Sequence, residues 1–144
     1  ISTPILFKFI ENHGWSKMVV MLQKEVAERI VSHEANKKYG RISIMMQSFF
    51  DISLEFNIPK TVFKPQPKIT SSVLLIKPKK DVNVQYKNLK IIVENAFKHR
   101  RKKLLHNLKN VLKSDMLNEI KDKRAEQLSV ADYQKLSHYI INHV

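Results

Sequence analysis

The chain has 144 residues, 43% of them hydrophobic, which is enough for one domain or two small ones with a substantial core. It carries 26 Lys and Arg residues against 13 Asp and Glu residues, and its net charge of +13 favours a polyanionic partner, although a general solubility charge would give the same balance. The absence of cysteine excludes disulfides, a cysteine-ligated zinc site and a cysteine nucleophile, and no apolar run approaches the roughly 18–20 residues that span a bilayer.

The first part of the chain alternates between helical and strand patterns. Thr3-Pro4 resembles an N-cap followed by a first-turn proline, which predicts a helix that ends near Gly14. The apolar run over residues 18–22 predicts a strand buried on both faces, as in a parallel sheet. Residues 24–31 predict a second helix.

The pattern changes in character towards the middle of the chain. Residues 39–50 are ambiguous, because their apolar spacing fits a helix but the run is short enough to be a strand. Residues 52–58 alternate apolar and polar side chains and predict a strand, and residues 72–76 predict another. After a boundary near residues 78–85 only helical patterns follow, including one that starts with a capping box at Ser129.

A basic segment covers residues 98–113 without an acidic side chain. On a helix, its apolar side chains would face one way, and basic side chains spaced by four, three and four would form a stripe on the other side. Such a stripe can follow a phosphate backbone; the alternative is a solvated helix face, which usually mixes charge signs. Arg100 and Arg101 are expected at the start of this helix, where they can grip phosphates or stack on bases. The predicted stripe comprises Lys102, His106, Lys109 and Lys113. The full set of candidate nucleic-acid contacts is Lys98, Arg100, Arg101, Lys102, Lys103, His106, Lys109 and Lys113.

Residues 59–70 form a proline-rich loop around one aromatic side chain, Phe63. Pro65 and Pro67 fix the backbone angle φ and thereby stiffen the loop. A stiff loop can hold a ring at a pocket mouth, where a flipped-out base can stack on it. A structural turn with Phe63 in the core is the alternative.

No pattern in these residues predicts a metal site or a cofactor loop. The six histidines lack ligand spacings such as His-Glu-x-x-His. Because Gly14 and Gly40 are the only glycines, no glycine-rich phosphate loop can form. No pair of carboxylates is placed for acid–base catalysis.

Several short segments, spread over nearly the whole chain, match the motifs of one protein family and occur in the same order. They are residues 1–4 (Ile-Ser-Thr-Pro), 21–29 (Met-Leu-Gln-Lys-Glu-Val-Ala-Glu-Arg), 39–43 (Tyr-Gly-Arg-Ile-Ser), 63–68 (Phe-Lys-Pro-Gln-Pro-Lys), 71–73 (Ser-Ser-Val), 96–97 (Ala-Phe), 100–104 (Arg-Arg-Lys-Lys-Leu) and 107–108 (Asn-Leu). Together they resemble the KsgA-type dimethyladenosine transferases of the small ribosomal subunit, which have relatives among the Erm methyltransferases.

The resemblance implies an α/β chain in two parts. Residues 1–78 would be the C-terminal half of a Rossmann-like methyltransferase domain, and residues 79–144 a small helical domain that engages ribosomal RNA. It implies that residues 39–50 are helical. It also implies dimethylation of adjacent adenines at N6 in small-subunit ribosomal RNA, with S-adenosylmethionine as the donor, in the cytoplasm and during ribosome biogenesis. Phe63 matches the family aromatic that is expected to stack on the target adenine.

The resemblance also implies that some functional residues lie elsewhere. In the family, a glycine-rich donor loop and an Asn-Leu-Pro-Tyr catalytic motif precede the segment that matches residues 1–4. We therefore expect no catalytic or donor-binding residue in these 144 residues, and no activity from them alone. The implied partners are the 30S pre-ribosome and either the preceding half of the same protein or a second copy, bound at an exposed sheet surface. A non-enzymatic RNA-binding module and a nucleic-acid-binding protein unrelated to methylation are the alternatives.

Overall fold

The structure is a computed structural model that describes residues 2–12 and 14–141, and the side chains of the first helix from residue 5 onward. The predictions that involve Ile1, His13 and His143 lie outside the described residues. The helices and strands are α1 (Ser2–Glu11), β1 (Met18–Gln23), α2 (Lys24–Ile30), α3 (Arg41–Phe49), β2 (Phe50–Ile58), β3 (Ser71–Pro78), α4 (Tyr86–Ala96), α5 (Leu104–Leu108), α6 (Ser114–Ile120) and α7 (Val130–Leu136). None of the described helices is long and apolar enough to cross a lipid bilayer.

Three antiparallel strands form the sheet, in the order β1-β3-β2. The prediction of a parallel strand buried on both faces is wrong, because β1 lies at the sheet edge and pairs antiparallel with β3, starting from Met18 opposite Ile76. Alternate β1 side chains are exposed, with Val19 at 64% and Met21 at 54%. An apolar run does not reveal whether both of its faces are covered, so the pattern could not identify an edge strand.

The predicted alternation in β2 is present, but a bulge divides its apolar residues between the two faces of the sheet. Leu54 lies opposite Leu74, whereas Phe56 lies opposite Val73, because the register shifts between Leu54 and Phe56. One extra residue reverses the direction of every later side chain in a strand. Phe56 therefore leaves the core face and is 56% exposed.

The two faces of the sheet differ in what covers them. Leu74 and Ile76 on one face belong to the hydrophobic core, together with buried side chains of α2 and α3. On the other face, Val19, Met21 and Phe56 are more than half exposed. We call this second surface the open sheet face, defined by Val19, Met21, Phe56, Val73 and Leu75. Val73 is itself buried within this face, but none of these five side chains belongs to the packed core cluster in the described part of the chain.

Helix α3 lies at the centre of the core. It contacts α2, β2, α4 and α7, and Ile44, Met46 and Phe49 are buried along it. Residues 41–49 are therefore helical, as the resemblance implied and the apolar spacing alone did not decide. Residues on both sides of the expected boundary near residues 78–85 contribute to one core cluster, so the later helices pack directly on α3.

Two buried tyrosines anchor the segments around α7. The hydroxyl of Tyr39 donates to the carbonyl of Leu128 at 2.7 Å, and the hydroxyl of Tyr133 donates to the carbonyl of Ala125 at 2.6 Å. Burial raises the pKa of both phenols above the usual range, so both keep the proton that they donate. Helix α7 itself begins at the predicted capping box, where the N–H of Asp132 donates to the Ser129 hydroxyl at 3.1 Å.

The apolar pattern of residues 104–112 suggested one continuous helical face, and this is wrong beyond residue 108. Helix α5 ends at Leu108. After it, Leu112 forms a backbone bridge with Ile140, and the N–H of Lys113 donates to the carbonyl of Tyr139 at 3.0 Å. The N–H of Leu112 still donates to the carbonyl of Leu108 at 3.0 Å, but at Lys113 pairing with a segment distant in the chain replaces the helical hydrogen bonds. Local periodicity contains no information about such a partner.

Candidate nucleic-acid interface

Residues 98–103 form an exposed turn between α4 and α5, which we call the basic loop. The side-chain amide of Asn107 holds this turn, since it donates to the carbonyl of Ala96 at 2.9 Å and to that of His99 at 3.0 Å. Carbonyls at the end of a helix lack partners within the helix, so this amide satisfies groups that would otherwise need water. The basic loop therefore follows a fixed path while its Lys and Arg side chains remain exposed.

The single helical stripe predicted from the spacing of basic residues is wrong, because no helix spans it. Lys102 lies in the basic loop, His106 in α5, Lys109 in the turn after α5, and Lys113 immediately before α6. All four side chains are exposed. They remain candidate contacts, although they lie on different local structures rather than on one helix face.

Arg100 contacts the protein itself rather than starting a helix. Its Nη2 donates to the carbonyl of Tyr39 at 3.0 Å and to that of Lys37 at 3.2 Å. Its guanidinium also lies 5.9 Å from the centre of the Phe97 ring. Arg101 is exposed and forms no hydrogen bond or ion pair with another described residue. Arg100 therefore attaches the basic loop to the segment before α3, whereas Arg101 presents its donors to solvent.

A second basic segment, residues 121–124, lies beside the basic loop and was missed by the sequence analysis. Lys103 and Arg124 form a backbone bridge, and the N–H of Leu104 donates to the carbonyl of Lys123 at 2.8 Å. The Lys-Asp-Lys-Arg sequence of this segment was visible, but its position depends on pairing between distant parts of the chain. The exposed cations of both segments form what we call the basic surface: Lys98, Arg101, Lys102, Lys103, Lys121, Lys123 and Arg124.

Acidic side chains compensate little of the charge on the basic surface. Asp122 lies 3.7 Å from Lys103, but both side chains are largely exposed, and exposed pairs contribute little to stability. The ring of His106 lies 5.4 Å from that of His99 in the basic loop, so His106 borders this surface. The arrangement leaves several unpaired cations exposed at this surface.

The proline-rich loop carries Phe63 outside the hydrophobic core. A 3-10 turn over Lys60–Val62 precedes Phe63, whose backbone is extended and whose side chain is half-buried. Among the described residues, Phe63 is not one of the side chains that pack on the core. The alternative of a core position is therefore contradicted. Pro65 is exposed and Pro67 is half-buried.

Phe63 and the basic surface are separate features of the fold. The proline-rich loop follows β2, whereas the basic surface belongs to the segments that flank α5 and α6. In the part of the chain that the structure describes, no hydrogen bond or ion pair joins the two. The predicted site residues therefore divide into a basic group and an aromatic loop.

A cavity of about 470 Å³ lies between α3 and α4, next to the basic loop. Phe7, Ile42 and Tyr86 contribute apolar surface to its lining, and Glu94 contributes the acidic side chain. Five basic side chains also line it: Arg29, Lys38, Arg41, Lys90 and Arg100. Because these residues come from separate elements, no local pattern indicated the cavity.

Comparison with known proteins relates the chain to RNA methyltransferases. A family model described as ribosomal RNA adenine dimethylase matches residues 1–142. The protein named ribosomal RNA small subunit methyltransferase A from Francisella tularensis subsp. novicida is 43% identical over 150 residues, which cover 97% of this chain and 56% of that protein. The chain thus spans a little over half the length of this relative.

Two solved structures share the fold. A dimethyladenosine transferase from Plasmodium falciparum matches with a TM-score of 0.85 and 22% identity, over 97% of this chain and 65% of that one. The 23S rRNA methyltransferase ErmE matches with a TM-score of 0.65 and 16% identity, over 96% of this chain and 60% of that one. The expected α/β fold is therefore confirmed.

Proposed function

Because the chain belongs to the ribosomal RNA adenine dimethylase family, we propose that it is part of an enzyme that dimethylates adjacent adenines at N6 in small-subunit ribosomal RNA. S-adenosylmethionine would supply the methyl groups, during ribosome biogenesis in the cytoplasm. Residues 1–78 would belong to the methyltransferase domain and residues 79–144 to a helical domain that binds the RNA of the 30S pre-ribosome. The name of the relative from Francisella tularensis supports the choice of small-subunit RNA.

The basic surface is the observation that carries this proposal. Of its seven cations, only Lys103 has an ion-pair partner among the described residues. A phosphate backbone neutralises such cations and releases its own counterions, which drives binding without reading the sequence. His106, Lys109 and Lys113 would extend the contact beyond the basic surface, and Arg100 would act by holding the basic loop in place.

Phe63 is proposed to stack on the adenine that is methylated. Turning a base out of its stack costs a few kcal/mol, and stacking on an aromatic ring returns about 1–3 kcal/mol per base. The position of Phe63 outside the core leaves its ring available for this role. Pro65 and Pro67 would limit the freedom of the loop, so that less entropy is lost when the base docks.

The described residues do not fit the methyl donor. S-adenosylmethionine carries a cationic sulfonium, and Arg41, Lys90 and Arg100, the basic lining side chains that have no acidic partner in the described part of the chain, would repel it. Gly14 and Gly40 lie on separate segments and do not form a glycine-rich loop. We therefore assign no step of methyl transfer to these residues, and we expect the 144 residues alone to be inactive.

A second candidate is a non-enzymatic module that docks on ribosomal RNA. Its support is the combination of an exposed basic surface with the lack of a catalytic pattern in these residues. For either candidate, the open sheet face is a proposed contact with another segment of the same protein or with a second copy of this chain.

Methyl transfer to ribosomal RNA distinguishes the two candidates. The intact protein that contains these residues should transfer two labelled methyl groups from S-adenosylmethionine to each target adenine of unmethylated small-subunit RNA, and the 144 residues alone should transfer none. RNA binding by the intact protein without methyl transfer would favour the docking module. Failure to bind RNA at all would contradict both.

A further inference from the structure

We propose that the cavity between α3 and α4 binds a single nucleotide, with its phosphate on the basic side chains and its base on the apolar lining. This inference deepens the proposed function and rests on it, because one source of the nucleotide is the RNA strand that the basic surface holds. A free mononucleotide is the other source of the same chemistry. The volume of about 470 Å³ lies within the range of about 300–1,000 Å³ that is typical of small-ligand sites.

Three of the five lining cations have no acidic partner among the described residues, and one of these, Arg100, already donates to two backbone carbonyls. Arg29 pairs with Glu25 at 3.2 Å, and Lys38 pairs with Glu28, so these cations are largely neutralised within the protein. Arg41 and Lys90 form no ion pair with any described residue. A dianionic phosphate beside Arg41 and Lys90 would meet two cations that have no other partner. Arg100 adds a third positive charge to the lining, against the single unpaired carboxylate of Glu94.

The start of α3 adds to this preference for an anion. First-turn N–H groups of a helix lack acceptors within the helix, and Gly40 at the N-cap has no side chain to accept from them. A Cβ atom built at Gly40 would have no neighbour within 4 Å, so the space beside these donors is open. Ser43 cannot occupy it, because its hydroxyl accepts from the N–H of Gly40 at 3.1 Å and donates to the carbonyl of Arg29. The helix terminus therefore supports the phosphate position that Arg41 and Lys90 define.

The rest of the lining suits an aromatic base rather than a bare inorganic anion. Tyr86, Phe7 and Phe97 bring three half-buried aromatic side chains to the cavity, and Ile42 and Met45 add aliphatic surface. The ammonium of Lys90 lies 5.9 Å from the centre of the Tyr86 ring, so the cationic and aromatic parts of the lining are adjacent. Phosphate and base lie side by side in a nucleotide in the same way.

The cavity connects to the proposed RNA-binding region through the basic loop. Arg100 lines the cavity, and the next residue, Arg101, belongs to the basic surface. Neighbouring Cα atoms are about 3.8 Å apart, so the cavity lining and the basic surface adjoin at this point of the backbone. In the proposal, a nucleotide that flanks the bound strand enters the cavity at this junction.

The test compares adenosine monophosphate, adenosine and a short single-stranded RNA as ligands of the full chain. Binding is measured for the wild type, for the double variant Arg41→Gln/Lys90→Gln, and for the matched control Lys87→Gln, which removes an exposed lysine of α4 that lines a different depression. We expect the double variant to bind the phosphate-bearing ligand, adenosine monophosphate or RNA, at least about tenfold more weakly than the wild type does, because two charge-assisted contacts are lost. The control should bind as the wild type does.

The ligands distinguish the two sources of the nucleotide. Weaker binding of adenosine monophosphate by the double variant supports a site for free mononucleotides. No binding of the mononucleotide, with RNA affinity reduced only in the double variant, supports a site for a nucleotide of the strand. Unchanged affinity of the double variant for both adenosine monophosphate and RNA overturns the proposal. Wild-type protein that binds adenosine as tightly as adenosine monophosphate also overturns it. The charge-preserving variant Arg41→Lys/Lys90→Arg should restore binding and so excludes a folding defect as the cause.

A parallel measurement separates this inference from the proposed function. The double variant Arg101→Ala/Lys102→Ala removes cations of the basic surface and leaves the cavity lining intact. If it weakens RNA binding while Arg41→Gln/Lys90→Gln changes the affinity for neither RNA nor adenosine monophosphate, the RNA-binding function stands and the nucleotide site is contradicted. If neither double variant changes RNA binding, and Arg41→Gln/Lys90→Gln also leaves the affinity for adenosine monophosphate unchanged, both are contradicted.

Discussion

Arg100 and Arg101 are adjacent in the sequence, but their guanidinium groups have different surroundings. Arg100 donates to two carbonyls and lies over Phe97, whereas Arg101 extends into solvent. The sequence could place both in one basic cluster, because residue type and spacing are local properties. It could not separate their roles, because the carbonyls of Lys37 and Tyr39 come from a segment more than sixty residues away.

Replacement of these two arginines should therefore affect different properties. Arg100→Ala should lower the free energy of unfolding by about 1–3 kcal/mol, because it removes two charge-assisted hydrogen bonds and a contact with an aromatic ring. Arg101→Ala should change it by less than about 0.5 kcal/mol, since the side chain is exposed. Urea denaturation followed by circular dichroism measures both values. Equal stability of the two variants would show that Arg100 does not anchor the basic loop.

Phe63 lies outside the core, so its replacement should affect substrate binding more than folding. In the intact enzyme, Phe63→Ala should reduce methylation at limiting RNA by roughly 10–100-fold, which corresponds to the loss of about 1–3 kcal/mol of stacking. Val62→Ala is the matched control, because Val62 is the preceding residue and is 61% exposed. Unchanged methylation by a normally folded Phe63→Ala enzyme would remove the stacking role.

The individual helices and strands differ in how far the sequence predicted them. Helix α2 and strand β3 follow local apolar patterns, helix α7 follows a capping box, and all three occur where those patterns indicated. The edge position of β1 and the early end of α5 depend on partners distant in the chain, so periodicity alone predicted them wrongly. The prediction that α3 is a helix came from the family resemblance, because its apolar spacing was compatible with a helix or a strand.

The open sheet face leads to a prediction about strand β1. An unpaired strand edge next to exposed apolar side chains favours association with another chain. The 144 residues alone should therefore self-associate at micromolar concentrations in sedimentation velocity experiments, and Val19→Lys/Met21→Lys should shift them towards monomer. Val82→Lys is the control, because Val82 is also partly exposed but lies in the loop after β3. A wild-type chain that remains monomeric at all concentrations would contradict a binding role for this face.

On the scale of the whole molecule, the basic surface and the aromatic loop lie outside the hydrophobic core, on separate segments of the chain. The net charge of +13 and the cluster at residues 98–103 were sufficient to predict a polyanionic partner. They were not sufficient to predict the shape of the interface. The pairing of Lys103 with Arg124 and the cavity beside α3 arise only when separate segments fold together.

The salt dependence of RNA binding tests the central claim, that the basic surface binds RNA phosphates, most directly. If about four phosphates are contacted, log K should fall with log salt at a slope near −3, at roughly 0.7 per single-strand phosphate. Lys123→Ala/Arg124→Ala should make the slope shallower by about 1.4, whereas the control Lys77→Ala/Lys80→Ala, in and after β3, should leave it unchanged. An affinity that does not change with salt, or a slope that is the same in both double variants, would contradict the account.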